Sequence, residues 1–500
     1  MDRRAFLGAS ASLAGVSSIP HLTGCNQVQA SAERLVVEPS AIRLFDSQPG
    51  PTKVWTYNGQ VAGPTLRMRQ GEMYALDLFN KIGQPTSLHW HGLRVPFEMD
   101  GVGSITQNGI SPGQSFRYAF APPDAGLFWY HPHMNSEEQV AKGMFGLILI
   151  EERNPPPVDR EVVWSLYDWG LDDDYQVPGK KAFQIWRGEE VYAKHSAITT
   201  DGQAAPDLEM RRGERVRLRI ANTSGNRRYA LKFEGHNPWV IAWDSNGVIP
   251  YQLGDQPLII GTGARVDLIL DGTGEVGQVF EILDLFNRDF EPVPPWESPE
   301  QTAARAAERV TRIRYLDTPA VRPLSELPPP TAPIANPIPV PDLSAAELIE
   351  IELGQSMIPV REIPKIGPMA AVLAEEHGVS MDTEVGLWTM NGEVLLEDLE
   401  TYNCIDPVPA FECKIGRTYK VRFKNATHVD HPMHLHGHTF QMISRNGLAY
   451  DRVFMRDTFT LFADETVEIA FVADNIGDWM IHCHRGMHQH GGMMSTFRVT

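Results

Sequence analysis

One unit occurs three times along this chain. Gly71-Glu72-Met73-Tyr74 leads through an alternating stretch to Asn80, nine residues after the glycine. Gly213-Glu214 leads to Asn222, and Gly416-Arg417-Thr418-Tyr419 leads to Asn425, at the same spacing. Nine residues beyond Asn80 stands His89, opening His89-Trp90-His91-Gly92, and nine beyond Asn425 stands His434, opening His434-Leu435-His436-Gly437. The corresponding residues of the middle copy are Leu231 and Phe233. The outer copies also share an opening, Trp55-Thr56-Tyr57-Asn58-Gly59 and Trp388-Thr389-Met390-Asn391-Gly392, and a close, in which a glycine (Gly126 or Gly477) precedes a histidine triplet by five residues. A repeat of this kind demands that each copy be one structural unit. The runs inside it, such as Tyr74-Ala75-Leu76-Asp77-Leu78-Phe79, alternate in polarity and are closely punctuated by turn residues, as strands of a β-sandwich are. The expectation is an all-β chain of three tandem β-sandwich domains, over 33–155, 156–318 and 346–500. Residues 319–345 form a connector, because Pro319 to Pro341 holds nine prolines and favours an extended, semi-rigid segment. Periodic helical segments are few, Ala370–Glu376 being the best candidate.

The first 32 residues read as an address. Asp2-Arg3-Arg4-Ala5-Phe6-Leu7 is a twin-arginine pattern followed by a mild apolar run, which predicts export to the periplasm or cell envelope. Leu22-Thr23-Gly24-Cys25 has the form of a lipobox, with Cys25 as a lipid-anchored first residue; ordinary cleavage near Ala30 or Ala32 is the other reading. Nowhere do ~18 apolar residues run together, so no transmembrane span is expected. The balance of 44 basic and 63 acidic residues, −19 in net charge, argues against a nucleic-acid partner. Four cysteines are too few for a disulfide-built scaffold.

Four His-x-His pairs carry the chemistry: His89/His91, His131/His133, His434/His436 and His482/His484. Residues i and i+2 of a strand share a face, so each pair offers two imidazoles side by side. Imidazole suits copper, zinc, iron and nickel alike. The segment His482-Cys483-His484-Arg485-Gly486-Met487-His488, with Met493 five residues on, decides among them. A cysteine thiolate, two histidines and a weak axial methionine make a blue-copper electron-transfer site, and His431 can supply the second imidazole. No Cys-x-x-Cys or His-Glu-x-x-His pattern speaks for zinc. Cys483 faces one way on its strand while His482 and His484 face the other, so one covalent segment joins the blue copper to whatever the paired histidines hold. Eight imidazoles suffice for about three further coppers. Four coppers store the four electrons that take dioxygen to water. The outer copies must then face one another to pool these ligands.

On these motifs the chain resembles the three-domain multicopper oxidases, the laccase and bacterial cuprous-oxidase family. The carriers are His89-Trp90-His91-Gly92, Trp129-Tyr130-His131-Pro132-His133, His431-Pro432-Met433-His434-Leu435-His436-Gly437 and His482-Cys483-His484. The resemblance implies three cupredoxin-like Greek-key sandwiches and four copper ions. It implies His89 and His434 on a type 2 copper, and His91, His131, His133, His436, His482 and His484 on a type 3 pair. It implies His431, Cys483, His488 and, axially, Met493 on a type 1 copper. Asp100, eleven residues after His89, matches a family acid that assists proton delivery to oxygen; by turn chemistry alone it is an aspartate before glycine. Gln489 departs from many relatives, which carry glutamate after the type 1 histidine.

His428, His438 and His490 match no ligand position. Cys404 and Cys413 leave two readings open, a hairpin disulfide or a free buried pair. The implied reaction couples one-electron oxidation of phenols or aromatic amines to reduction of O2. Cuprous ion is the alternative donor, but Gly354 to Gly378 holds only Met357 and Met369, with Met381 just beyond, which is poor in the thioethers that favour Cu(I). Two rivals from other classes are a copper nitrite reductase, against which the four His-x-His pairs count, and a non-enzymatic envelope binding protein, which would have lost the ligands.

Overall fold

Each copy of the repeat begins with a long strand that pairs in parallel with the strand closing at the repeat asparagine. In the computed structural model, which describes residues 32–46, 48–178, 195–204, 206–286, 306–333, 335–362, 380–397, 403–404 and 407–500, Glu33–Ile42 lies parallel to Tyr74–Asn80, Arg160–Leu171 to Arg215–Asn222, and Glu347–Pro359 to Thr418–Asn425. A second sheet in each copy repeats another parallel pair: Gly63–Arg69 with Gly146–Glu151, Asp207–Met210 with Glu308–Tyr315, and Pro409–Cys413 with Met494–Val499. Among the described residues six sheets result, two per copy, of four and four, seven and five, and seven and five strands. The sheets of a copy close on their own apolar interior, around Leu76, Tyr118 and Tyr130 in the first, Leu218, Ile220 and Leu268 in the second, and Val421, Ile469 and Trp479 in the third. The export segment with Cys25, the helix expected at Ala370–Glu376, and Met369 lie outside the described residues.

The asparagine is the pin of the unit. Asn80 Oδ1 accepts from the Ile82 amide while Nδ2 donates to the carbonyls of Gln84 and Ile110. Asn222 repeats this with Ser224, Arg227 and Ile260, and Asn425 with Thr427, Val429 and Leu461. All three side chains are buried, so each amide satisfies backbone groups that would otherwise be stranded away from water. In the outer copies the pinned turn leads into the strand that carries the first histidine pair.

Facing separates the middle copy from the others. Trp90 lies in the first interior and Met433 and Leu435 in the third, which turns the neighbouring histidines outward. In the middle copy Leu231 and Phe233 themselves fill the interior, and Ala230 faces out with Leu285 and Phe286. A slip of one residue on a strand exchanges its two faces. Leu231 and Phe233 therefore match the histidines in spacing but not in direction.

Among its described residues the proline-rich connector holds no strand; it turns at Leu324–Glu326 and again at 342–345, and it is bound along its course. Arg322 makes a bidentate ion pair with Asp159. The carbonyl of Pro328 accepts from Arg215, that of Pro337 accepts from Arg94, and Asn336 bonds both backbone groups of Ala125 and the carbonyl of Ser245. It straps the first two sandwiches together before the third begins. Cys404 and Cys413 are both free and buried: Cys404 packs with Val102, Leu395, Met480 and Met494, and Cys413 lies inside the third sandwich. Of the two readings open for this pair, the free one holds.

Replacing either outer asparagine, Asn80→Ala or Asn425→Ala, strands buried carbonyls and should lower unfolding free energy by about 1–3 kcal/mol. Thermal and denaturant unfolding measure it; an unchanged midpoint would show that the amide pins nothing.

Candidate metal centre

Two strand pairs bring the histidines into line. His89–His91 runs antiparallel to Gly126–His131, with His89 opposite His131. His431–Leu435 runs antiparallel to Gly477–Cys483, with His434 opposite His482 and Met433 opposite Cys483. Each sandwich thus presents its imidazoles on one outward face, and the two faces meet. Gly92 ends the first pair at φ 84°, and a Cβ there would fall 2.4 Å from Arg265 Nη2, so the motif glycine makes room for a neighbour.

Eight imidazoles converge, none more than 7% exposed. Their ligand nitrogens sort into His91, His131 and His484; His133, His436 and His482; and His89 and His434, which also group with His91. His436 Nε2 lies 3.1 Å and His133 Nε2 3.4 Å from His482 Nε2, and His91 Nδ1 lies 3.1 Å from His484 Nε2. His91 stacks on His434 and His89 on His436, with centroids 3.8 and 3.9 Å apart.

Backbone carbonyls orient the rings. His89 Nδ1 donates to the carbonyl of Asp100, His131 Nδ1 to Pro132, His434 Nδ1 to Asp457 and His482 Nδ1 to Cys483, all at 2.9–3.0 Å. A proton committed at Nδ1 leaves the Nε2 lone pair free. The Nε2 atoms of His89, His131 and His434 are buried with no hydrogen-bond partner among the described residues. Asp100, fully buried, sets Oδ2 2.8 Å from His436 Nδ1 and Oδ1 3.3 Å from His89 Nδ1.

A second group lies across the strand Gly477–Cys483. Cys483 Sγ is 3.7 Å from His431 Nδ1 and 3.6 Å from His488 Nδ1, and those two nitrogens are 3.0 Å apart. His431 Nε2 bonds the Thr427 hydroxyl, and Trp388 covers both rings. Met493 is buried, its backbone bonded to Cys483 and His488. His482, Cys483 and His484 therefore span the two groups through one run of covalent bonds. His438 is buried against Trp479, Phe471 and Phe497, His490 lies 3.7 Å from Glu397, and His428 is exposed; none enters a metal group among the described residues.

Burial and neighbouring imidazoles hold His91, His131, His133, His434, His436 and His484 well below the usual imidazole pKa. Burial takes His431 down to about 3 and His482 to about 4, and raises the Cys483 thiol to about 12. Neutral imidazoles with inward lone pairs are what a cation requires.

Three sequence profiles, each described as multicopper oxidase, match residues 160–282 as well as 43–155 and 383–500, on either side of it. The chain belongs to the multicopper oxidase family. It is 27% identical to the multicopper oxidase MmcO of Mycobacterium tuberculosis across 98% of this chain and 95% of that protein. It is 25% identical to Laccase-2 of Botryotinia fuckeliana across 88% and 78%. A crystal structure of a multi-copper oxidase from Pseudomonas thermotolerans superposes with a TM-score of 0.74 at 27% identity, covering 94% of this chain and 99% of that one. The sandwiches are thus cupredoxin-like, and the protein is an oxidoreductase of a family that uses O2 and an electron donor.

Copper, the metal this multicopper oxidase family implies, fits the donor set: imidazoles with unpartnered nitrogens in one group, and a thiolate with two imidazoles in the other. Sequence reasoning missed what stands behind the imidazoles. Asp457 and Thr458, next to His91 and His434, repeat no spacing of the other copies, and Arg265, paired with Asp457, belongs to the copy without histidines.

The depressed imidazole pKa values fix a pH dependence. An imidazole that stays neutral when folded takes up its proton on unfolding, so the unfolded chain binds more protons and acid favours it. Stability of the metal-free protein should fall as pH drops below about 6.5, and go on falling through about 4, where His482 titrates in the folded state, to about 3, where His431 does. Copper should flatten the upper part of this slope, because bound ligands stay deprotonated. A metal-free melting temperature flat between these values would show that the imidazoles are protonated while folded.

Proposed function

We propose that this multicopper oxidase is laccase-like: it takes electrons singly from phenols or aromatic amines at a type 1 copper and passes four of them to O2, giving water, at a three-copper cluster. The observation that carries the reading is the division of the ligand atoms into a Cys483 group and an eight-imidazole group joined by His482 and His484. His431, Cys483 and His488, with the buried Met493 bonded to two of them through its backbone, would hold the type 1 copper. His89 and His434 hold type 2, while His91, His131 and His484 hold one type 3 ion and His133, His436 and His482 the other. Bound copper supplies the one-electron redox chemistry and the site for O2.

The chain's own residues supply the rest. Trp388 and the surrounding burial keep bulk water from His431 and His488. The bonds from Cys483 to its two neighbours give electrons a route with no gap through space. Asp100 holds a carboxylate 2.8 Å from His436 Nδ1, on the ring edge away from the converging nitrogens, where it can pass a proton toward the reacting oxygen without occupying a ligand position. Relatives named laccase and the scarcity of methionine near Met357 and Met381 support phenols over Cu(I) as donor. The Asp2–Leu7 motif supports export to the periplasm or envelope, with the metal centre assembled in a folded chain.

Oxygen uptake by the copper-loaded protein, measured with a dimethoxyphenol and then with Cu(I), tests this. One O2 should disappear per four electrons, faster with the phenol, and Cys483→Ser should lose both the blue thiolate band and the uptake. Asp100→Asn should keep the band and slow uptake by about 100-fold or more, the usual range for a lost proton donor. Preference for Cu(I) would favour a cuprous oxidase. A colourless protein without uptake would favour a binding protein.

A further inference from the structure

The middle sandwich brings no imidazole to the site, yet it forms one wall. Gly263, at φ 83°, lies so near that a Cβ would stand 3.0 Å from both His484 Cδ2 and His91 Cε1. Two residues on, Arg265 is fully buried, and its guanidinium reaches the third sandwich: Nη1 donates to Asp457 Oδ1 at 2.7 Å and Nη2 to Oδ2 at 2.5 Å. Its Nε donates to the carbonyl of Leu127 in the first sandwich, and its own amide to Asp244 Oδ1. One side chain therefore touches all three units directly behind the imidazoles.

What it holds is directional. Asp457 Oδ1, fixed by the guanidinium, accepts from the Thr458 hydroxyl at 2.9 Å. With its proton so committed, that hydroxyl can only accept from the rings beside it, His91 Nε2 at 3.1 Å and His434 Nδ1 at 3.0 Å. A ring that donates from Nε2 must present Nδ1, and His91 does meet His484 through Nδ1. His434, donating from Nδ1 to Thr458 and to the Asp457 carbonyl, must present Nε2, which is the atom left unpartnered. One hydroxyl thus faces two stacked rings in opposite tautomers, setting that of His91 and reinforcing that of His434, which the Asp457 carbonyl also holds.

We infer that Arg265 is a positioning residue of the metal centre, acting through Asp457 and Thr458 to fix which nitrogen His91 and His434 each offer to the metal. The inference rests on the copper reading above and adds to it the task of the sandwich that has no ligands. A purely stapling role for Arg265 would make the ion pair matter and the hydroxyl not.

Thr458→Val separates the two, because it leaves the Arg265–Asp457 pair in place and removes only the hydroxyl. Thr458→Ser restores it. The copper-loaded full chain and each variant are dialysed against graded concentrations of a copper chelator, and copper per chain, the blue band and the type 2 electron paramagnetic resonance signal are recorded. Thr458→Val should release the eight-imidazole copper at about 10–100-fold less chelator than the parent, as lost ligand-orienting bonds generally do, with the blue band kept and the type 2 signal altered. Thr458→Ser should behave as the parent. Where valine is not accommodated, Thr458→Ala must give the same loss. Arg265→Met should shift copper release in the same direction, and Arg265→Lys by less. Copper retention and a type 2 signal unchanged in Thr458→Val or Thr458→Ala, beside a normal parent, would overturn the inference alone. A parent chain that binds no copper would overturn the oxidase reading beneath it.

Discussion

His436 and His482, each with its proton committed at Nδ1, turn lone-pair nitrogens on one another at 3.1 Å inside the protein, and neutral rings so placed repel one another unless a cation stands between them. The rest of the molecule is arranged around holding the eight imidazoles there. Four imidazoles come from the first sandwich and four from the third, separated by about three hundred residues of chain, so no local structure could assemble them. Six of the eight rings, His89, His91, His131, His434, His436 and His482, are aimed by a bond on the far side, to a carbonyl, to Asp100 or to Thr458, which fixes the tautomer before any metal arrives. Metal binding and folding are coupled in such a site, since the same burial that keeps the rings neutral makes their unpartnered nitrogens costly, by about 1–3 kcal/mol each.

The first and third sandwiches bond each other directly, as Arg94 does Asp474, and the middle one adds a brace across both. The middle copy keeps the repeat's sheet order and asparagine pin but turns its strand over by one residue, so that Leu231 and Phe233 build an interior instead of a ligand face. Its outward residues then serve as contacts. Trp169 and Tyr167 pack with Trp129 and Leu127 of the first sandwich, and Arg265 pairs with Asp457 of the third. The proline connector, strapped by Arg322, Pro328, Asn336 and Pro337, stays bonded to the first two sandwiches up to the start of the third. A copy without ligands thus helps to align the two that have them.

Much of this was legible in the sequence, and the reason is periodicity. Strand alternation places His89 with His91 and His482 with His484, and puts Cys483 on the opposite face, so the two metal groups follow from spacing. Asparagine at a fixed nine residues after glycine marks the pin, though not its bonds. Facing in the middle copy was not legible, because a one-residue slip leaves spacing intact. Arg265, Asp457 and Thr458 were not legible either: they meet across nearly two hundred residues, and a buried arginine leaves no periodic trace. The pairing state of Cys404 and Cys413 depends on which interior each enters, and nine residues of separation do not tell.

The central claim, that two distinct groups of ligands, one shared by the first and third sandwiches and one within the third, each hold copper, is tested most directly by anomalous diffraction at the copper edge from crystals of the copper-loaded protein. The account predicts one peak between His431, Cys483 and His488, and three among the eight imidazoles, bounded by His89 with His434, by His91 with His131 and His484, and by His133 with His436 and His482. Peaks confined to the cysteine group, or none among the eight imidazoles at full copper loading, would contradict it.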